Sequence, residues 1–138
     1  MASKRVWMIT ERPVRKPKPE LSDHEKQDLL ARADKFVAEF YAPRISPPKP
    51  HEKNNYVTHL TTRWRTPYLS FIKHFNCPGR NAISPTFERP LARLGYLGED
   101  NWSLWFQRHS GKWIEVGTGL TLDCSFDVMK KDPWFQLL

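Results

Sequence analysis

The sequence predicts an α+β fold in which an N-terminal amphipathic helix and a short C-terminal helix cover an antiparallel sheet of about five strands. Apolar residues recur at helical spacing near the start of the chain, over residues 23–41. Segments that alternate apolar with polar residues, separated by turn residues, fill the middle. A second, shorter helical pattern follows them. This order is typical of helices packed on one face of a sheet.

The composition fits one domain with a charged extension. The chain has 138 residues, of which 39% are hydrophobic, enough for a core of its own. We expect residues 1–20 to form a mobile, basic, proline-rich tail and residues 21–138 to form a single α+β domain. Six lysines and arginines and two glutamates lie in the tail, so it carries more than half of the net charge of +7. Such charge raises affinity for polyanions, nucleic acid first, although many basic tails only aid solubility.

Several classes of protein lack support in the sequence. Cys77 and Cys124 form no CxxC pair, and no cysteine–histidine spacing resembles a zinc site. We therefore expect reduced thiols, no metal and no cofactor. The N-terminus has no apolar signal-peptide region, and no window approaches the roughly 20 apolar residues of a membrane-spanning helix. These features predict a cytoplasmic protein with no membrane partner.

The first helix has a clear start and stop. Ser22-Asp23-His24-Glu25 matches a capping box, in which the first and fourth residues bond each other's backbone. Pro43 ends the helix, and a proline-rich loop follows at residues 42–55. The apolar stripe consists of Leu29, Leu30, Ala33, Phe36, Val37 and Phe40.

Residues 56–65 and 68–76 form the first predicted hairpin. Pairing Arg65 with Tyr68 sets a register that places His59 opposite His74 and Thr58 opposite Phe75. The face predicted as core collects Tyr56, Leu60, Trp64, Leu69, Phe71 and Phe75, and Lys73 falls on it without explanation. The opposite face collects His59, Thr61, Arg63, Arg65, Tyr68, Ser70, Ile72 and His74.

A third strand is predicted at residues 91–97, after a second loop at 77–90. Ala92, Leu94 and Tyr96 are expected to face inward. The next stretch, WSLWFQRHSGKWIEV at residues 102–116, forms a hairpin whose three-residue loop ends at Gly111, where a left-handed backbone is needed.

The register of this second hairpin divides its large rings between the two faces. It pairs Phe106 with Ile114 and Leu104 with Val116 in the core, beside Trp102. Trp105 and Trp113 point the other way, where they need a cover or a partner. The chain then closes with a short helix capped by Thr121 and stopped by Asp132-Pro133, after which Trp134-Phe135 docks on the body. Leu122, Phe126 and Met129 form the buried side of that helix.

The strand at 91–97 and the hairpin after it share a pattern of apolar, aromatic and basic residues with a known family. The pattern consists of Leu91, Ala92, Leu94, Tyr96, Trp102, Leu104, Phe106, Arg108, Gly111, Lys112 and Trp113. With these residues the segment at roughly 36–117 resembles a bacterial family known only as a domain of unknown function, DUF3024. The resemblance implies no activity.

No motif predicts an enzyme. A phosphate-binding glycine loop and a nucleophile elbow are both missing, and most carboxylates fall in turns or at helix starts. The opposed pair His59 and His74 is the one convergence of titratable groups, and it could bind a metal or share a proton. A solvated cross-strand pair explains it more simply. We therefore expect a non-enzymatic binding protein.

The candidate binding surface is the basic, aromatic face of the predicted sheet. Single-stranded DNA and RNA bind proteins through cationic grooves and rings on which bases stack. The same residue types also form protein interfaces, so a protein partner or a homodimer with no nucleic-acid role is the alternative. Arginine and tryptophan side chains also stack on each other without any ligand. The candidate residues are Arg63, Arg65, Tyr68, Arg93, Trp105 and Trp113.

Overall fold

The computed structural model describes residues 20–80 and 82–137, so the tail predicted at residues 1–20 lies outside the described residues except for Glu20. The α+β prediction is confirmed. The strands form one antiparallel sheet in the order β1-β2-β3-β4-β5. The elements are α1 (Asp23–Phe36), β1 (Tyr56–Arg65), β2 (Tyr68–Asn76), β3 (Thr86–Gly98), β4 (Asn101–Gln107), β5 (Trp113–Leu120) and α2 (Leu122–Lys131).

Helix α1 begins with the predicted capping box. The Ser22 hydroxyl accepts from the Glu25 N–H at 3.1 Å, and the Glu25 carboxylate accepts from the Ser22 N–H at 3.0 Å. The helix continues as a π-helical turn, Val37–Tyr41, so helical backbone reaches the predicted end. The wider turn rotates the residues that follow about the helix axis, so Tyr41 rather than Phe40 faces the core. Tyr41 is fully buried and donates to the Phe135 carbonyl at 2.8 Å, whereas Phe40 is only half-buried.

Both helices pack on one face of the sheet, called the inner face. The rings of Phe36 and Phe126 stack at 4.3 Å, and both meet Phe71 of β2 edge-on at 6.3 Å. The Trp64 indole N–H donates to the Lys26 carbonyl of α1 at 2.9 Å. The inner face therefore contains the predicted core. Its fully buried residues include Leu69, Phe71, Ala92, Leu94, Leu104 and Met129.

Two register shifts correct the predicted pairing, one near the start of β1 and one in the middle of β4 and β5. The first hairpin keeps its predicted pairs from Arg65–Tyr68 to His59–His74, but Thr58 bulges and Val57 takes the place opposite Phe75. In the second hairpin Leu104 lies opposite Gly117, not Val116, because the register shifts between Leu104 and Trp105. An extra residue on one strand leaves the side-chain alternation of its partner unchanged, so the core residues predicted on β2 keep their face. On β1 the bulge reverses the residues that precede it: Val57 packs against the core, and the prediction of Tyr56 as a core residue is wrong.

Strand β3 is longer than predicted. It begins at Thr86, so part of the loop expected at 77–90 is strand. The misleading residue is Pro90, which lacks an N–H and argues against a central strand. A bulge resolves the conflict, since Phe71 pairs with Ala92 and Ile72 with Pro90, leaving Leu91 as the extra residue.

The C-terminal prediction is confirmed at both ends of α2. The Thr121 hydroxyl accepts from the Cys124 N–H at 3.1 Å, and the helix stops before Asp132. Phe135 is fully buried, while Trp134 stacks on Phe106 at 4.7 Å and remains 62% exposed. Among the described residues no helix is both long enough and apolar enough to cross a bilayer.

Candidate functional site

The outer face, opposite the helices, centres on one arginine surrounded by rings. The Arg93 Cζ atom lies 4.0 Å from the centroid of the Tyr68 ring, 4.3 Å from that of Trp113 and 4.9 Å from that of Trp105. We call these four residues the arginine–aromatic cluster. A cation over a ring face gains roughly 0.5–2 kcal/mol, more as water is removed. Three rings on one guanidinium therefore fix its position.

Adjacent strands bring the cluster together. Arg93 of β3 pairs with Trp105 of β4, and Tyr68 of β2 pairs with Gly95 of β3. Gly95 leaves room for the tyrosine: a Cβ there would lie 3.1 Å from the Tyr68 ring and 2.6 Å from the Ser103 hydroxyl. That hydroxyl accepts from the Trp105 indole N–H at 2.9 Å. The rings are thus positioned by backbone register, a missing side chain and a hydrogen bond.

Arg93 has no counter-charge among the described residues. Within residues 20–80 and 82–137 its guanidinium forms no ion pair, and its buried Nε–H has no acceptor. Withdrawing a polar or charged group from water without a partner is costly. The rings compensate part of that cost, but an oxyanion would satisfy the remaining donors in the plane of the guanidinium.

A cavity of about 320 Å³ opens beside the cluster. Its cationic walls are Arg65, Arg89 and Arg93, and its aromatic walls are Tyr68 and Trp113. Ile72, 5% exposed, also lines it although it faces away from the helices. The cavity therefore combines positive charge with apolar surface.

Glu88, the one acidic residue that the described part of the chain contributes to the cavity lining, is already paired. Glu88 accepts from the Arg63 guanidinium at 3.3 and 3.5 Å, and this hydrogen bonding lowers the pKa of the Glu88 carboxyl. Its charge is directed toward β1 rather than toward Arg93. Of the predicted site residues, Arg63 alone is thus separated from the others and neutralised, whereas Arg65 is exposed at the cavity.

The predicted histidine pair is present at the next position along the face. The rings of His59 and His74 stack in parallel at 4.4 Å. Burial, followed by the charge of His59, lowers the pKa of His74, although Glu88 opposes the shift. Stacked rings do not aim their nitrogens at one point, and in the described part of the chain no three histidine, cysteine or acidic residues form a metal-binding group. The pair is a stacked, hydrogen-bonded feature of the sheet.

Trp105 and Trp113 lie on the face predicted for them, outside both helices. Each is half-buried, and part of each ring is used to hold Arg93. They are consequently a fixed wall rather than two free stacking platforms. The prediction missed Glu88 and Arg89, which fell in the expected loop. The alternation around Phe87 could have revealed them, had Pro90 not argued against a strand.

Comparison with known proteins gives a family without an assigned activity. The family model of a domain of unknown function (DUF3024) matches residues 21–136, a wider span than the resemblance at 36–117. No curated protein and no solved structure matches the chain. The match covers nearly all of the sequence, including the two α-helices and five strands of the described residues, and the chain therefore belongs to the DUF3024 family.

Proposed function

We propose that this protein is a non-enzymatic binding protein whose outer sheet face binds single-stranded nucleic acid, DNA or RNA. The observation that carries the proposal is Arg93, a cation held by three rings without a carboxylate partner among the described residues. It lies at a cavity that two further arginines line. The proposal places the protein in a bacterial cytoplasm, where such strands are available.

The chemistry of the cavity matches a nucleotide better than a bare anion. Phosphate oxygens accept bidentate hydrogen bonds from guanidinium groups such as those of Arg65 and Arg93. A base next to that phosphate would stack on the accessible part of Trp113, and stacked bases contribute about 1–3 kcal/mol each. Every base has a flat face, so this mode of binding tolerates sequence variation.

A protein interface remains the second candidate, and one observation favours it. Trp134 is 62% exposed and stacks on Phe106, away from the outer face. Exposed tryptophan is typical of interface hot spots. A protein partner or a second copy of the chain would bury Trp134 and leave Arg93 unchanged, so the two functions involve different residues.

The experiment is an anisotropy titration of a labelled, mixed-sequence single-stranded oligonucleotide. Arg93→Gln removes the unpaired cation, and Arg32→Gln is the matched control because it removes an exposed arginine on α1, paired with Asp123 on the helix side. Losing a charged hydrogen bond costs about 1.5–3 kcal/mol, or roughly tenfold to a hundredfold in affinity. We expect that loss for Arg93→Gln alone. Equal affinities of the two variants, or no binding by the wild type at low salt, would contradict the proposal.

A further inference from the structure

A second pair of cations, without a carboxylate partner in the described ranges, lies on the inner face. Lys73 of β2 and Arg89 of β3 are directly opposite each other, and the next pair along the same face is Phe75 with Phe87. The two phenyl rings stack in parallel at 4.7 Å. The Lys73 ammonium lies 5.6 Å from the centroid of Phe75, and the Arg89 Cζ lies 5.8 Å from that of Phe87. The site thus has two cations beside two rings.

This arrangement works against the stability of the fold. Like charges directly opposite on antiparallel strands repel each other. Lys73 is half-buried, and this burial, reinforced by the charge of Arg89, lowers the pKa of the ammonium group. Neither residue forms an ion pair with a carboxylate in the described ranges. Two neighbouring cations with no carboxylate partner among the described residues repel each other less when an anion lies between them, and such perturbed groups are candidates for a functional site.

We propose that Lys73 and Arg89 bind a phosphate-class oxyanion between them, against the wall formed by Phe75 and Phe87. A planar guanidinium and a compact ammonium together match the charge of a dianion, and both donate hydrogen bonds to its oxygens. Lys73, Phe75 and Phe87 lie on the opposite face from the arginine–aromatic cluster. Arg89 is shared, since it also lines the outer cavity, so Lys73 is the cation that belongs to this site alone. Its phosphate could come from a small phosphorylated molecule or from the backbone of a nucleic acid.

The test is calorimetric titration of the full chain with pyrophosphate, together with thermal unfolding at low salt without ligand. Lys73→Met removes the charge and keeps the apolar length, and Lys131→Met on α2 is the control for the loss of an exposed lysine. We expect Lys73→Met to weaken pyrophosphate binding at least tenfold and to raise Tm, because repulsion and burial of the charge are both relieved. Arg93→Gln should leave this binding unchanged.

The outcomes separate the two proposals. Pyrophosphate affinity that is equal in Lys73→Met and Lys131→Met, or absent in the wild type, would overturn this site. A lower Tm with unchanged affinity would also overturn it, since that result defines a structural lysine. A parallel titration with the oligonucleotide identifies the source of the phosphate. If the site binds the backbone of a nucleic acid, Lys73→Met weakens oligonucleotide binding as well; if it binds a small phosphorylated molecule, oligonucleotide binding is unchanged. Failure of the oligonucleotide to bind at all would contradict the proposed function and leave this site intact.

Discussion

Arg93 is enclosed by aromatic rings, with three ring centroids within 4.9 Å of its Cζ atom. Its position on the outer face was predicted from strand alternation, as were those of Tyr68, Trp105 and Trp113. Its enclosure by the rings was not, because alternation assigns a face but not a rotamer. Gly95, which makes room for Tyr68, carries no sequence signal of its own.

His74 provides a prediction at the same scale. Its pKa in the folded state lies below the ordinary value of 6.5, so the unfolded chain binds more protons as pH falls. Stability should therefore decline as pH drops through 6.5 toward the lower folded-state pKa and level off below it. We expect His74→Gln to flatten this part of a plot of Tm against pH, whereas His109→Gln, in the exposed hairpin loop, should keep it. Superimposable profiles for wild type and His74→Gln would show that another group is responsible.

At the scale of elements, strand faces followed from the period-two pattern, and both helices followed from their caps. The bulges at Thr58 and Leu91 and the shift after Leu104 could not be read in the same way, because a bulge depends on how two strands fit. Pro90 is the clearest example. Its missing backbone N–H predicts a loop when only the sequence is known, whereas in the structure the residue lies beside a bulge within a strand. The residues of the candidate face were predictable because the same alternation of side chains assigns both the core face and the outer face. The cavity on that face was not predictable, because it depends on side-chain conformations.

Asp100 offers the clearest test of how elements are joined. One carboxylate oxygen, Oδ1, accepts from the Trp102 indole N–H and from the Leu122 N–H, each at 3.1 Å, so the β3–β4 turn is tied to the start of α2. Trp102 is only 1% exposed, and leaving its donor unpaired costs about 1–3 kcal/mol. We expect Asp100→Ala to lower the free energy of unfolding by that amount in urea titrations. Asp100→Asn keeps an acceptor and should lose less; equal stability of Asp100→Ala and wild type would exclude this role.

At the scale of the whole molecule, the sheet separates a helix-covered core from an outer face that no helix of the described residues covers. The proposed function assigns two roles to charge: the net charge of +7 would attract polyanions over a long range, and the cavity lined by Arg65, Arg89 and Arg93 would bind them. Binding at phosphates releases counterions, so the proposed function requires an affinity for nucleic acid that falls steeply as the salt concentration rises. A contact between apolar protein surfaces has no such dependence.

The most direct test is the intrinsic tryptophan fluorescence of the wild type and Arg93→Gln, titrated with a mixed single-stranded oligonucleotide at two salt concentrations. Trp105 and Trp113 flank Arg93, so a bound strand should quench them. We predict quenching by the wild type that weakens sharply as salt rises, and a weaker response with a smaller salt dependence in Arg93→Gln. An unchanged spectrum at low salt, or identical curves for the two proteins, would contradict a nucleic-acid interface on the outer face.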